Sequence, residues 1–311
     1  MSTGALGNRL SLTAFSLGQS LLSGRCISPL FAGRATHGDH RCWVYRHSAL
    51  VRVTHWINVI CLTALLMSGL QIFNAHSALY WGQDSDFKRP LFAIAADAGN
   101  GSFPTRGMVE IFGRTFDTTG VLGLSRGPSG RAVVRAFPTW ITLPGYQDLA
   151  TGRRWHFLFA WLFVLNGATY LVISLLDGHF RRNLIPDRVQ LLHIGRSVVD
   201  HLMLRFPKGE AARQYNVLQK LSYLLVIFVL LPTMALSGMA MSPAIDAAVP
   251  QLLSLFDGRQ SARTVHFIVA TAVVLFVLVH VLMVVLSGVF NNLRSMITGW
   301  FAIEASGHDA K

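Results

Sequence analysis

Residues 263–288 read RTVHFIVATAVVLFVLVHVLMVVLSG, apolar enough to cross a bilayer yet holding two histidines, His266 and His280. About 20 apolar residues span the hydrocarbon as a helix, and lipid offers an imidazole nitrogen no partner, so ionisable residues in a span mark function. On a helix, 14 residues advance about 21 Å and return to within about 40° of the starting direction. His266 and His280 therefore share one face at opposite depths.

Three further stretches approach or exceed the spanning length, at about 52–73, 155–176 and 219–241, with the opening stretch giving a fourth span at 264–288. Charged residues make up 14% of the chain and hydrophobic ones 52%; soluble domains carry about 25% charged residues. The chain reads as an integral membrane protein. Lipid leaves unpaired backbone groups unsatisfied, so all four spans should be helices. The expected fold is an all-α four-helix bundle with a long loop, 74–154, between helices 1 and 2. Pro232 removes a backbone donor inside the third span and predicts a kink there.

The formal charge of +12 lies between apolar runs, which argues for membrane orientation and against nucleic-acid binding. The connection 177–218 carries Arg181, Arg182, Arg188, Arg196, Arg205, Lys208 and Arg213, whereas 242–262 carries Arg259 alone. The positive-inside rule puts the first of these in the cytoplasm, together with both termini, and so puts 74–154 on the periplasmic side. That loop, with GSFPTRGMVEIFGRTFDTTGVLGLSRGPSG and FPTWITLPGY, reads as an irregular but folded cap whose use is a docking surface. Residues 188–206 alternate as an interfacial amphipathic helix would, making His193 and His201 surface residues rather than ligands. Residues 1–42 read as a disordered extension, 43–303 as the membrane domain and 304–311 as a tail. Cys26, Cys42 and Cys61 form neither CxxC nor CxxCH, so cysteine chemistry and covalently attached haem are not expected.

The first span, RVTHWINVICLTALLMSGLQIF, carries His55 near its inner end, and the second, RRWHFLFAWLFVLNGATYLVISLL, carries His156 near its outer end. Depth then pairs His156 with His266 near the periplasm and His55 with His280 near the cytoplasm. Two facing imidazoles axial to one iron make a b-type haem site, so two haems are expected. The third span has no histidine, and this arrangement needs none from it. Arg52, Arg153 and Arg263 each precede a histidine by three residues, on the same helix face, where a guanidinium suits a haem propionate; snorkelling at a helix end is the other reading. Gly69 shares a face with His55 at outer depth and Gly167 with His156 at inner depth, where a missing side chain lets a flat macrocycle approach. Zinc and di-iron sites need three or four ligands at one depth, often carboxylates, which the spans lack in their middles.

These same segments resemble the bacterial cytochrome b561 and nickel-iron hydrogenase b-type cytochrome family: RVTHW opening the first helix, RRWHF opening the second, and RTVHFIVATAVVLFVLVH in the fourth. The phrases MSGLQIFNAHSALYWG, GHFRRNLIPDRVQLL, RQYNVLQKLSYLLVIFVLLP and FNNLRSMITGW are similar to its thiosulfate reductase cytochrome b subunit branch. The resemblance covers about 43–303. It implies an electron-transfer subunit of a respiratory chain, working between a quinone pool and a periplasmic oxidoreductase, with haem-ligand positions falling on His55, His156, His266 and His280. The long first loop favours a molybdopterin-dependent partner over a hydrogenase. Asn58 and Asn291 lie at depths a quinone could reach, with helix-end caps or interface residues as the other reading. Two other readings are weighed: a self-contained quinol-dependent reductase of a small oxidant, and a non-haem transporter or anchor whose histidines bond between helices.

Overall fold

The computed structural model describes residues 41–97, 101, 105–127, 129–178, 184–203 and 216–304. Among them, four helices are long and apolar enough to cross a membrane: Ala49–Phe73, Leu149–Leu176, Val217–Ala240 and Arg259–Leu286. They contain nearly all of the four expected stretches and make this a multi-pass membrane protein. Large apolar side chains such as Leu165, Leu275 and Leu278 are exposed along them, as a lipid-facing surface requires. The third is composite: α-helix over Val217–Leu225, a π turn over Val226–Leu230, and α-helix again over Leu231–Ala240. Pro232 has no N–H to give the carbonyl four residues back, and the widened turn immediately before it takes up the defect that the sequence predicts as a kink.

The all-α expectation holds for the spans and not for the loop between the first two. Strands β2 (Ala78–Leu79), β3 (Phe92–Asp97), β4 (Arg106–Ile111) and β5 (Arg114–Asp117) form an antiparallel sheet in that order, and β6 (Gly123–Arg126) pairs with β7 (Ala132–Arg135). Strand β4 alternates between more and less buried positions, as a strand with one face on a core does. Gly113, Gly120 and Gly130, each with positive φ, turn the chain between these short strands, which pair their backbone groups with one another. Expected as irregular, the cap is instead a small β structure.

Contacts divide the chain into two compact units, one drawing on residues through Trp56, Gly167–Val226 and Phe276 onward, the other on Ile57–Asn166 and Ile227–Leu275. In the second of these, Ile94 on β3 faces Val109 on β4, and both are buried with Phe73, Leu79 and Ala136. Phe92 and Phe267 pack on this cluster, and Phe73 and Phe267 ring centres are 4.9 Å apart, which seats the sheet on the first and fourth spans. Gly123, with φ +76°, lets β6 lie so close that a side chain there would strike the carbonyl of Ala95. Arg135 is a buried cation in the same unit, and burial presses its pKa down. It donates to the Gly145 carbonyl (2.7 Å), Gln71 Oε1 (2.6 Å) and Thr142 Oγ1 (3.1 Å), while Gln71 Nε2 donates to the Tyr146 carbonyl (3.0 Å).

In the other unit, strand β1 (Arg41–Tyr45) pairs antiparallel with β8 (Trp300–Glu304), Tyr45 opposite Trp300. A helix over Val289–Thr298 leads into β8, and the Asn291 side chain brackets Ala302, donating to its carbonyl (2.8 Å) and accepting from its N–H (3.0 Å). The Trp56 indole donates to the Met296 carbonyl (3.0 Å) and Arg52 Nη1 to that of Ile297 (2.5 Å). The expected amphipathic segment is two helices, Arg188–Leu192 and Ile194–Leu202, with Val189 and Leu192 exposed. His193 is exposed, with Nδ1 on the Val189 carbonyl (2.9 Å). The His201 side chain, nearly all of the 1–42 extension and the tail beyond 304 lie outside the described residues.

Candidate haem-ligand pairs

His156 and His266 have ring centres 6.2 Å apart, and His55 and His280 6.4 Å. A metal–imidazole bond of about 2.0 Å on each side, plus roughly 1.1 Å from nitrogen to ring centre, would set two rings about 6.2 Å apart. Both pairs fit that spacing. Among the described residues no three His, Cys, Asp or Glu side chains gather into a metal site, so the donor sets are pairs, as a tetrapyrrole iron needs and zinc or di-iron centres do not.

The first pair is held from two sides. Ser68 Oγ donates to the Ala64 carbonyl (2.6 Å) and lies 3.0 Å from His156 Nδ1; Ser237 Oγ donates to the Thr233 carbonyl (2.7 Å) and lies 3.1 Å from His266 Nδ1. Each serine precedes a glycine that faces the same ring. A Cβ on Gly69 would meet His156 Cε1 at 3.4 Å, and one on Gly238 would meet His266 Cε1 at 3.3 Å. The histidine-free third span thus takes part through Ser237 and Gly238, residues the sequence reading passed over. Both serine–glycine pairs are SG dipeptides, at 68–69 and 237–238, but SG also occurs at 23–24, 129–130, 287–288 and 306–307, so the dipeptide alone does not mark them.

The second pair has different surroundings. His55 Nδ1 is buried without a hydrogen-bond partner, and Trp56 meets its ring edge-on at 5.4 Å. Phe276 stacks on His280 at 6.0 Å and is itself met by Tyr223. A buried ring nitrogen without a bond is costly in lipid or protein.

The arginines diverge. Arg263 donates to the His76 carbonyl and lies over the Phe73 ring at 5.4 Å. His76 Nε2 is buried without a partner, and burial and the nearby Arg263 hold its pKa below the ordinary histidine value. Arg153 is exposed and lies over Phe157 at 5.7 Å. Arg52 is engaged by the Ile297 carbonyl, with its Nε buried and unbonded. A Cβ on Gly167 would meet nothing within 4 Å, so the structure does not bring that glycine to a histidine. Asn58 accepts a bond from Asn166 (2.8 Å), and Asn291 is committed to β8, which gives both candidate quinone contacts structural partners.

Membrane-spanning helices bearing two facing histidine pairs are the fold and donor types that a b-type membrane cytochrome requires. The chain belongs to the prokaryotic cytochrome b561 family, whose model matches residues 46–299. It is a membrane haem-b electron-transfer protein of that family. A relative from Azospira oryzae, "Putative protein-methionine-sulfoxide reductase subunit YedZ1", is 28% identical over 253 residues, covering 81% of this chain and 96% of its own length. No solved structure matches the chain.

Proposed function

We propose that the chain is the di-haem membrane subunit of a bacterial inner-membrane oxidoreductase, carrying electrons between the quinone pool and a periplasmic partner. His156 and His266 would hold an outer haem b, and His55 and His280 an inner one. The matching 6.2 and 6.4 Å ring separations carry this reading. Bound haem supplies reversible one-electron chemistry between ferric and ferrous iron. The chain's part would be to orient the four imidazoles, keep water from them, and offer Arg263 and Arg52 to the propionates; Arg153 is the weakest of the three candidates, being exposed. Gly69 supports the outer site, while Gly167 has no neighbour that supports it at the inner one.

The orientation follows the basic 177–218 connection, with both termini cytoplasmic and the β cap periplasmic. The membrane domain is 43–303. The partner is a molybdopterin-dependent oxidoreductase rather than a hydrogenase, and the name of the Azospira relative favours one that reduces methionine sulfoxide in proteins. The test is haem content of the full chain purified from membranes. Two haem b per chain are expected, falling to one in His266→Ala and to one in His280→Ala. A colourless protein, or both haems retained in either variant, sinks the assignment. Co-purification with a molybdenum subunit separates it from a self-contained quinol-dependent reductase of a small oxidant.

A further inference from the structure

We propose that Ser68 and Ser237 are positioning residues of the outer haem site, each accepting the Nδ1–H of one axial histidine and so fixing its tautomer, ring rotation and donor strength. The inference rests on the outer-haem reading of His156 and His266. Each serine hydroxyl has one proton, and it is committed to the carbonyl four residues back, Ala64 at 2.6 Å and Thr233 at 2.7 Å. The oxygen can therefore only accept from the imidazole. At His266 a backbone carbonyl agrees, that of Met234 lying 3.1 Å from Nδ1. A carbonyl has no proton to give, so Nδ1 of His266 carries the hydrogen; at His156 the committed proton of Ser68 requires the same, and each Nε2 is left with its lone pair. Both serines are fully buried, so water does not compete.

The two halves repeat. Ser68 and Gly69 on the first span face His156, and Ser237 and Gly238 on the third face His266, each serine reaching Nδ1 and each glycine leaving room beside Cε1. The two rings are held 65° apart in plane. An acceptor on the far nitrogen of a metal-bound imidazole raises its basicity and fixes its orientation. A more basic ligand favours ferric over ferrous iron. The inner pair supplies a control, because His55 Nδ1 has no hydrogen-bond partner.

The experiment is a redox titration of the full chain in membranes, followed through the α-band and low-spin EPR, on Ser68→Ala and Ser237→Ala. Each variant should keep two haems. At a fixed poise the outer component's reduced-to-oxidised ratio should rise about threefold or more, the worth of one hydrogen bond. Its largest EPR g-value should move as the ring is released, and the inner component should keep wild-type values. Unchanged potential and EPR in both alanine variants overturns the proposal. Should an alanine variant not accumulate, Ser68→Cys and Ser237→Cys keep a weaker acceptor of similar size and must show a smaller displacement in the same direction; a wild-type outer component in them overturns it equally. His266→Ala run in parallel identifies the outer component, and if it removes none, the haem reading itself has failed and takes this inference with it.

Discussion

A side chain at Gly238 would press on the ring of His266, its first carbon falling 3.3 Å from Cε1. Gly69 stands in the same relation to His156 at 3.4 Å. Small residues let helix backbones approach, and here that approach brings the neighbouring serines within reach of Nδ1.

Gly238→Leu should therefore displace His266 and empty the outer site while the inner haem stays. Gly167→Ala, at a position with open space around it, should change neither. Haem content and the α-band of membranes carrying each variant provide the measurement; an intact outer haem in Gly238→Leu argues against close packing on that ring.

Arg263 and Arg153 stand at matching sequence positions before their histidines but in different surroundings. Arg263→Ala removes a guanidinium bonded to the His76 carbonyl and packed on Phe73, at a cost of about 1.5–3 kcal/mol for a charge-assisted bond. It should lower thermal stability and shift the outer midpoint potential. Arg153→Ala should produce a much smaller shift, since its side chain is exposed. Equal effects in a redox titration would mean that propionate pairing, not burial, governs both.

Arg135→Met should destabilise the junction between the β cap and the first span by about 2–3 kcal/mol, because Gln71 Oε1 and the Gly145 carbonyl lose their donor. Arg135→Lys keeps the charge but cannot fork to three acceptors, and should fall between. Thermal unfolding in detergent reads the difference.

Acid should loosen the start of the second span. Asp148 accepts from the N–H and the hydroxyl of Thr151, and these bonds hold its pKa below the ordinary aspartate value. A depressed folded pKa contributes stability that is present above the unfolded value of about 3.9 and is lost as pH falls through the folded one. Asp117, bonded to Thr119, behaves alike in the cap. Melting temperature followed from pH 5 downward should fall less steeply in Asp148→Asn than in the wild type.

The spans were legible because lipid demands about 20 apolar residues and a helix. Their polar first turns were not: the second begins at Leu149 rather than 155 and the fourth at Arg259 rather than 264, each extended beyond the apolar run by local bonds to Asp148 or to Gly82. The histidine pairs could be read from helical depth alone, since a 14-residue spacing on one helix fixes two levels. The cap's strands could not. Ile94 and Val109 meet only through a register that neither short run specifies by itself. Ser68 and Ser237 were hidden for another reason: serine is ordinary in packed membrane helices, and only coordinates show where its hydroxyl goes.

The fourth span's first turns are tied to the segment at 76–82: Arg263 to the His76 carbonyl, Thr264 to that of Tyr80 (2.6 Å), and the Gln260 and Ser261 amides to that of Gly82. His266 sits two residues past the last of these ties, so a displacement of residues 76–82 would be felt first at the end of the helix that carries this imidazole.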